Sequence, residues 1–286
     1  MMRTMGLAVF LILALVENAL AWGQEGHSIV AEVAQRRLSP QASTMVEQLL
    51  GRGHSLASVA SWADDIRDER PETYNWHFVD IPIAIGRYDP TKVCKPGDKG
   101  DCAVAELDRL KGELRCASGD KKIDALKLAV HLVGDIHQPL HTVDEARGGN
   151  EIHVDIFMRG KTCTGTCKPT ASPSNYHAAW DSDLINKEAW NWGAYVDCLE
   201  AGWLKTPEAQ NSGQDSGIDG GTPADWVVET HHAAQAVWDL LPANNVLDDG
   251  YLRQVLPTLD RQLGVAGLRL ARFLNDAYGS SQCPAQ

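Results

Sequence analysis

The sequence predicts an all-α protein, mainly helical and built as a single domain, with a short β-hairpin or extended segments. Three observations predict this class. Long segments carry apolar residues at helical spacing, Pro or Gly residues mark their ends, and only two stretches alternate as strands do. The chain has no internal repeat, and at 286 residues it is long enough to bury a large core.

The first segment, residues 1–21, is predicted to be a signal peptide. One arginine precedes an apolar run from Gly6 to Val16, which is too short to span a bilayer, and Ala19-Leu20-Ala21 matches the small-x-small cleavage pattern. We therefore expect residues 22–286 to form a catalytic domain that begins at Trp22. The protein would be secreted or periplasmic, with no stable membrane association.

Five later segments are predicted to be helices from apolar residues three or four positions apart. In chain order they read GHSIVAEVAQRRL, SPQASTMVEQLLG, KIDALKLAVHLVGDIHQPLH, TPADWVVETHHAAQAVWDLL and YLRQVLPTLDRQLGVAGLRLARFLNDAYG. Ser39-Pro40 ends the first helix and caps the second, and Pro139 ends the third. We expect an interruption near Pro257 in the last helix, because proline removes a helical hydrogen bond.

Two stretches alternate well enough to be short strands or extended segments. They are YNWHFVDIPI, residues 74–83, and GGNEIHVDIFMRG, residues 148–160. The stretch from Thr206 to Pro223 is rich in Gly, Ser, Asn and Asp and is predicted to be a loop.

The charge of the chain argues against nucleic-acid binding through a basic face. The formal net charge is −12, and removal of the signal peptide leaves it unchanged because one Arg and one Glu are lost. Proteins that bind nucleic acid through Lys and Arg usually show a basic stripe or patch. A polyanionic substrate would therefore need positive charge from another source.

All seven cysteines follow the signal peptide, which makes them disulfide candidates in an exported protein. Cys94 and Cys102 bracket a Pro/Gly/Lys-rich loop, and Cys163 and Cys167 stand close together in CTGTC. The odd number of cysteines leaves one free thiol or an intermolecular bond, and the sequence does not determine the pairing. No C-x2-C pair supports a zinc ribbon, and the absence of an N-x-[ST] sequon mildly favours a bacterial source.

Histidine and aspartate recur at i, i+4 spacing on two predicted helices. His131 and Asp135 share a face of the most apolar helix, and His177 and Asp181 repeat the pattern. Such a pair alone is more often a plain hydrogen-bonded pair. Imidazole plus carboxylate without thiolate nevertheless suits catalytic zinc. We expect the other histidines and several aspartates to be structural or solvated: His54, His137, His153, His231, His232, Asp65, Asp144, Asp155 and Asp183.

Six motifs in order resemble those of the S1/P1 nucleases, which are zinc-dependent nucleases specific for single strands. The motifs are WGQEGH, ASWADDIR, WHFVD, HLVGDIHQPLH, GGN and HAAWD, and the resemblance runs from Trp22 to about Asp276. It implies a mainly helical fold of the kind shared by phospholipase C and P1 nuclease. It also implies three zinc ions in a chain that is expected to be a monomer.

The resemblance implies nine zinc ligands. Asp64, His77, His131 and Asp135 would hold one zinc, and His141, His177 and Asp181 a second. His27, Asp135 and Trp22 would hold the third, with Trp22 using its free α-amino nitrogen and carbonyl oxygen. Cleavage after Ala21 would therefore create a metal ligand. Three zinc ions would attract phosphate although the chain is acidic, because metal ions dominate local electrostatics.

The resemblance implies hydrolysis of single-stranded RNA and DNA to 5′-phosphorylated products, and removal of the phosphate from 3′-nucleotides. We expect Asp64 to orient or deprotonate the attacking water and Arg67 to neutralise charge on the phosphorane. Surface ion pairing is the plainer explanation of Arg67. Residues of the expected base pocket are Phe78, Asp80, Gly148 and Asn150, with Phe78 stacking on the base; without the resemblance, Phe78 would as readily be a packing residue.

Two other functions fit parts of the pattern. Zinc phospholipases C resemble this chain in fold, metal site and N-terminal tryptophan, but their first histidine lies further from that tryptophan and a glutamate ends the last ligand helix. Here Trp22 and His27 are close, and Asp181 is an aspartate. A non-catalytic exported zinc-binding protein would place its ligands on flexible His-rich loops, whereas this chain places them on apolar helices.

Overall fold

The computed structural model describes residues 22–158, 170–189, 191–213, 216–279 and 283. The predicted signal peptide and the Cys163–Cys167 pair lie outside these residues. The described chain is mainly helical, as the sequence predicts. The helices are α1 Gln24–Gln35, α2 Pro40–Leu50, α3 Trp62–Asp65, α4 Pro90–Val93, α5 Ala103–Cys116, α6 Asp120–Asp135, α7 Tyr176–Ala178, α8 Leu184–Glu188, α9 Trp192–Ala201, α10 Pro207–Gln210, α11 Pro223–Asp239 and α12 Asp249–Gly279.

Shorter helical turns connect these elements. The 3₁₀ turns are Leu56–Val59, Pro71–His77, Pro139–Thr142 and Trp203–Lys205, and a π-helical turn, Ala179–Asp183, joins α7 to α8. No described helix combines the length and apolar character needed to cross a membrane.

A small sheet lies beside the helices in the strand order β2-β1-β3. β1, His153–Met158, pairs antiparallel with β2, Thr170–Asn175, in a register that places Val154 opposite Ser174. β3, Val246–Leu247, pairs in parallel with β1. The strand predicted within residues 148–160 is therefore confirmed, and β2 and β3 are additions that the alternation of the sequence does not reveal.

The core forms around α12, which packs against α1, α2, α5, α6 and α11. The crossing with α1 is close, because a Cβ atom built on Gly267 would lie 2.4 Å from Val33 Cγ1. α6 packs between α1, α5 and α12, and every residue from Leu128 to Asp135 is buried. This burial explains the apolar character of α6 and places its polar side chains inside the protein.

Pro257 does not interrupt the last helix, so the prediction of a break there was wrong. α12 is continuous from Asp249 to Gly279 with Pro257 inside it. Proline in a helix interior costs about 3 kcal/mol through a lost hydrogen bond and a steric clash. The apolar stripe runs through the proline from Val255 to Leu259, both fully buried, and the burial of this stripe outweighs the local cost.

The segment 74–83 is not a strand over its first half, contrary to prediction. It begins inside the 3₁₀ turn Pro71–His77, in which proline occupies the first turn. Only the second half is extended, with Val79 N donating to His141 O at 2.8 Å and an isolated bridge between Ile81 and Val143. The predicted loop between Thr206 and Pro223 contains the single turn α10.

Two disulfides join described residues. The Cys94–Cys102 disulfide closes the Pro/Gly/Lys-rich loop between these residues. This disulfide candidate of the sequence is therefore confirmed. Cys116–Cys283 joins the end of α5 to the C-terminal segment across 167 positions, a separation that no local pattern reveals. Cys198 is the free cysteine among the described residues, and it is exposed.

Candidate metal centre and adjoining cavity

α6 supplies two of the polar groups around which the candidate site is built. His131 and Asp135 lie one turn apart and are completely buried. Their reactive atoms face each other, with His131 Nε2 3.2 Å from Asp135 Oδ2. An unpaired charge on such a buried face is costly, so these groups need partners from other elements.

Two neighbouring turns complete this first cluster. The 3₁₀ turn Pro71–His77 brings His77 Nδ1 to 2.9 Å from Asp135 Oδ2 and 3.1 Å from His131 Nε2. α3 brings Asp64 Oδ1 to 3.5 Å from His131 Nε2 and 3.6 Å from His77 Nδ1. Asp64, His77, His131 and Asp135 therefore converge on one point.

His27 approaches the opposite oxygen of Asp135 from α1. His27 Nε2 lies 3.3 Å from Asp135 Oδ1, yet neither atom has a hydrogen-bond partner within the described ranges. The ring of His27 stacks on that of His131, with centroids 3.8 Å apart. Asp135 thus presents one oxygen to His77 and His131 and the other to His27, as a carboxylate bridging two metals would.

A second cluster forms where the turn after α6 meets the turn after α7. His141 Nε2 lies 3.9 Å from Asp181 Oδ1, and His177 Nε2 lies 3.7 Å from Asp181 Oδ2. Asp181 belongs to the π-helical turn Ala179–Asp183. All three side chains are buried, and their ligand atoms lie within 4.8 Å of one another.

Backbone carbonyls fix the orientation of the imidazole rings. The Nδ1 atoms of His131, His141 and His177 lie 2.7, 2.7 and 2.8 Å from the carbonyl oxygens of Ala60, His77 and Gly148. Each ring then donates from Nδ1 and points Nε2 into its cluster, which is the usual outer-sphere arrangement of metal-ligating histidines.

The protonation of the clusters reflects their burial and close spacing. Burial lowers the pKa of His27 to about 4 and that of His177 to about 3, so both rings are neutral at pH 7. Burial alone also disfavours a charged His131, but Asp135 and Asp64 outweigh it and raise the pKa of His131 well above its usual value. Burial raises the pKa of Asp181 well above the ordinary carboxyl range. A divalent cation bound by these groups would displace protons from those that carry them.

The donor set fits divalent metal ions. Several buried polar atoms facing the clusters lack a hydrogen-bond partner in the described part of the chain: His27 Nε2, Asp64 Oδ1, Asp135 Oδ1 and His141 Nε2. Buried polar atoms are normally hydrogen-bonded. Several such atoms without partners, all facing the clusters, are therefore consistent with metal ions as their binding partners. Three groups of ligand atoms have the spacing to hold a metal: His27 with Asp64 and His131, His77 with His131 and Asp135, and His141 with His177 and Asp181.

Gln138 supports the second cluster and was not among the predicted site residues. Its side chain is fully buried, and its Nε2 donates to Asp181 Oδ1 at 2.6 Å. Its Oε1 accepts from Leu140 N at 2.5 Å in the turn that carries His141. Gln138 therefore fixes Asp181 relative to His141. Its place between two predicted ligands of HLVGDIHQPLH could have indicated this role.

Trp22 lies beside the centre. Its indole is fully buried, and Gly23 N donates to Asp181 O at 2.8 Å. A Cβ atom built on Gly134 would lie 2.8 Å from His27 Nδ1 and 3.7 Å from Trp22 Cδ1. Trp22 and His27 thus pack on the same spot of α6, and the first residues of the described chain are fixed against the second cluster.

A cavity of about 220 Å³ opens from these clusters. It is lined by His77, His141 and His177 on the metal side and by the remaining residues predicted for catalysis and base binding: Arg67, Phe78, Asp80, Gly148 and Asn150. Arg67 lies over the ring of Tyr74, 4.6 Å from its centroid, and its Nη1 is 3.6 Å from Asp64 Oδ1. The structure therefore brings the predicted cation and the predicted stacking ring to the same space.

Five further residues line this cavity and were not predicted for it: Tyr74, Leu140, Val143, Asp144 and Arg147. Asp144 is exposed, which agrees with the expectation that it is solvated, and it lines the cavity together with Asp80. Arg147 immediately precedes the GGN motif, and this position could have indicated that it lines the cavity. Gly148 has a φ of +63°, and a Cβ atom there would lie 2.6 Å from Leu140 O, so glycine is required where the chain passes His177.

The histidines expected to be structural or solvated lie apart from the clusters. His137 is buried with Nδ1 2.7 Å from Val133 O, and His231 is buried with Nδ1 2.7 Å from Thr142 O. His54, His153 and His232 are exposed.

Known proteins are similar to this chain along almost its whole length. A model of the S1/P1 nuclease family matches residues 22–279. Nuclease PA3 of Penicillium sp and nuclease P1 of Penicillium citrinum are each 30% identical over 284 residues, covering 91% of this chain and 98% of the relative. Endonuclease 2 of Arabidopsis thaliana is 28% identical, covering 92% of each chain. With its helical fold and its buried His/Asp clusters, the chain belongs to the S1/P1 nuclease family.

Proposed function

We propose that this nuclease is a secreted, zinc-dependent phosphodiesterase that hydrolyses the 3′-O–P bonds of single-stranded RNA and DNA. Its products would carry 5′-phosphates, and the same chemistry would remove the phosphate from 3′-nucleotides. One observation carries the proposal: buried histidine and aspartate ligands open onto a cavity that contains both a guanidinium and an aromatic ring.

Three zinc ions would be held by nine residues. Asp64, His77, His131 and Asp135 would hold the first, and His141, His177 and Asp181 the second. His27, the second oxygen of Asp135 and the N-terminal Trp22 would hold the third. When bound, such ions act as Lewis acids and acidify water. One chain supplies the whole set, so we also propose that the protein acts as a monomer.

Asp64 and Arg67 are the residues of this chain that would act on the reacting phosphate. Asp64 is largely buried, with Oδ1 3.6 Å from Arg67 Nη1, and its carboxylate would orient or deprotonate the attacking water. Arg67 is held between that carboxylate and the face of Tyr74. Its guanidinium would stabilise the charge that develops on the phosphorane oxygens.

Phe78 and Asp80 would recognise the nucleobase. Phe78 lines the cavity and contacts Tyr74 in a T-shaped arrangement, with ring centroids 6.0 Å apart. Asp80 stands at the cavity mouth, where partial desolvation and the neighbouring Asp144 raise its pKa to about 6. Its carboxyl can therefore donate a hydrogen bond to a base in mildly acidic solution and accept one in neutral solution. Gly148 and Asn150 would complete the pocket.

Export and catalysis would be linked at the N-terminus. Signal cleavage after Ala21 would free the α-amino group of Trp22, whose ordinary pKa is about 8. The place of Gly23 against Asp181 supports this proposal, because it brings the N-terminal backbone to the second cluster.

Removal and re-addition of metal would test the proposed function. The protein would be treated with a chelator, dialysed, and assayed on single-stranded RNA, single-stranded DNA, a 3′-nucleotide and phosphatidylcholine before and after zinc is restored. We expect hydrolysis of the first three to disappear and to return with zinc. Phosphatidylcholine as the preferred substrate would instead identify a phospholipase C, and zinc binding without any hydrolysis would identify a zinc-binding protein.

A further inference from the structure

A second, larger cavity adjoins the metal-side cavity. Its volume is about 650 Å³, which is within the usual range of ligand sites. Phe78, Asp80 and Asp144 line both cavities, so the second one begins where the proposed base pocket ends. We call it the outer chamber; its other lining residues lie between positions 75 and 101.

Three cationic side chains line the outer chamber, all from the segment 87–95, which includes α4. Arg87, Lys92 and Lys95 are all exposed. Among the described residues, neither Arg87 nor Lys95 has a carboxylate within ion-pair distance, and Lys92 is 4.0 Å from Asp89. The chain has a net charge of −12, so three cationic side chains on one cavity are unusual for it. Their grouping indicates a site for an anionic ligand.

Two of the acidic residues in the chamber are engaged by the protein itself. Asp101 accepts two hydrogen bonds from Arg109, at 2.7 and 2.9 Å. Asp89 caps α4, with Oδ1 3.1 Å from Thr91 N. Asp80 and Asp144 stand at the inner end, beside the proposed base pocket. The cations of the segment 87–95 thus remain available to an anionic ligand.

Apolar residues also line the chamber, and the chain around it is tied by a disulfide and by hydrogen bonds. Ile85 is one of the few exposed large apolar side chains among the described residues, and Pro82 lies on the same cavity. The Cys94–Cys102 disulfide closes the loop at one end. Asn75 holds the loop by donating from its backbone N to Lys99 O at 2.8 Å and from Nδ2 to Gly100 O at 3.1 Å. A segment held in this way loses little conformational entropy when a ligand binds.

We propose that the outer chamber is a subsite for the continuing strand of a polynucleotide, in which Arg87, Lys92 and Lys95 bind backbone phosphates. The next sugar and base would lie against Ile85 and Pro82. This inference rests on the proposed nuclease function and deepens it, because it makes a longer single strand, rather than a mononucleotide or dinucleotide, the preferred substrate.

The test compares a triple variant with a control that loses the same charge. The variant is Arg87→Ala/Lys92→Ala/Lys95→Ala, and the control is Lys121→Ala/Lys205→Ala/Arg253→Ala, whose side chains are exposed and line neither cavity. Metal-loaded proteins would be assayed on the dinucleotide dTpdT and on dT10. Binding of a hydrolysis-resistant phosphorothioate dT10 would be measured alongside, so that the subsite is tested even where cleavage fails.

We expect the triple variant to bind the decamer at least about tenfold more weakly, with a salt dependence reduced by about 0.7 for each phosphate that the variant no longer binds. Its kcat/KM should fall on dT10 and change little on dTpdT, and the control should behave like the parent. Unchanged decamer binding, or the same loss in variant and control, would overturn the subsite. So would an equal loss of kcat/KM on both substrates. Failure of the parent to hydrolyse either substrate would count against the nuclease proposal, and the binding comparison would still decide the subsite.

Discussion

Among single residues, Asp135 matters most to the candidate metal centre, because its two carboxylate oxygens face different histidines. Asp135 faces His77 and His131 with one oxygen and His27 with the other. Its burial opposes ionisation, yet His131 and the other ring contacts lower the pKa of Asp135 well below the usual carboxyl range. The charge of Asp135 is therefore maintained inside the protein, as a bridging ligand requires.

Asp135→Asn should remove almost all nuclease activity and lower the zinc content, because an amide cannot supply two anionic ligand atoms. The change preserves size, so circular dichroism should be unchanged. Asp65→Asn is the matched control, since Asp65 is exposed beside the proposed ligand Asp64. Metal analysis and cleavage of single-stranded RNA would be measured on both variants. Full turnover of Asp135→Asn with three zincs bound would contradict the bridging role.

Phe78→Ala should weaken nucleotide binding by about 1–3 kcal/mol, the usual contribution of one aromatic ring stacked on a base. Zinc content should stay at the parent value, because Phe78 contributes no ligand atom. Phe78→Tyr keeps the ring and should retain most of the affinity. Titration calorimetry with a 3′-nucleotide analogue would measure both. If Phe78→Ala bound as tightly as the parent, Phe78 would be a packing residue.

The residue types of the centre could be predicted from the sequence, whereas the supporting contacts could not. His131 with Asp135 and His177 with Asp181 stand at a spacing that one helical turn explains. The contact of Gln138 with Asp181 joins two different turns, and the packing of Tyr74 under Arg67 depends on the path of the chain between them. Tertiary contacts of this kind have no periodic signal in the sequence.

At the scale of elements, α12 organises the helices, and its contact with α1 tolerates no side chain at Gly267. Gly267→Ala should lower the free energy of unfolding by about 1–3 kcal/mol, because the new methyl group would overlap Val33. Gly112→Ala in α5 is the contrasting change, since a Cβ there would contact nothing within 4 Å. It should raise the free energy of unfolding by about 0.4–1 kcal/mol. Urea unfolding of the metal-loaded proteins would measure both, and equal effects would contradict the close crossing.

An ion-pair network ties α11 to α12 and to the turn after α6. Glu229 accepts hydrogen bonds from Arg269 and Arg261, and Arg269 Nη1 lies 3.0 Å from His137 Nε2. Arg269 is almost completely buried. Burial raises the pKa of Glu229, but Arg269 and Arg261 outweigh it and bring the pKa below the ordinary value of 4.5.

Glu229→Gln should lower the free energy of unfolding at pH 7 by about 1.5–3 kcal/mol, because Arg269 would lose a charged partner. The folded-state pKa of Glu229 is lowered, so the stabilisation is complete above pH 4.5 and is lost as the pH falls through the folded-state pKa. The difference between parent and variant should therefore shrink below pH 4.5. Glu208→Gln, which removes an exposed partner of Arg261, should cost less than about 1 kcal/mol. A difference that stayed constant down to about pH 3 would contradict the assignment.

Five of the long helices and β1 follow from apolar periodicity, whereas α5 and α9 were not predicted. Other departures from prediction have physical causes. Pro257 is tolerated because the buried stripe of α12 continues on both sides of it. The segment around His77 begins as a 3₁₀ turn because Pro71 starts a helical turn, which alternation of residue types does not show. β2 has the sequence TASPSN, without the apolar alternation of a strand, and it pairs because β1 offers an edge.

At the scale of the whole molecule, both ends of the described chain are fixed to the core. Cys116–Cys283 attaches the C-terminal segment to α5, and Gly23 attaches the N-terminal residues to Asp181. The N-terminal attachment is the one with a proposed chemical role, because it would present a backbone amine to the metal centre. Cations bound at the centre would help this acidic chain to attract a phosphate substrate.

The most direct test is the metal content of the protein that begins at Trp22, compared with a protein that begins at Ala21. In the longer protein the amine of Trp22 becomes an amide, which is a far poorer ligand. N-terminal sequencing would confirm each start, and both proteins would be assayed on single-stranded RNA. We predict three zincs per chain and full activity when the chain begins at Trp22, and one zinc fewer with most of the activity lost when it begins at Ala21. Equal zinc content and equal turnover in the two proteins would contradict a metal centre completed by the N-terminus.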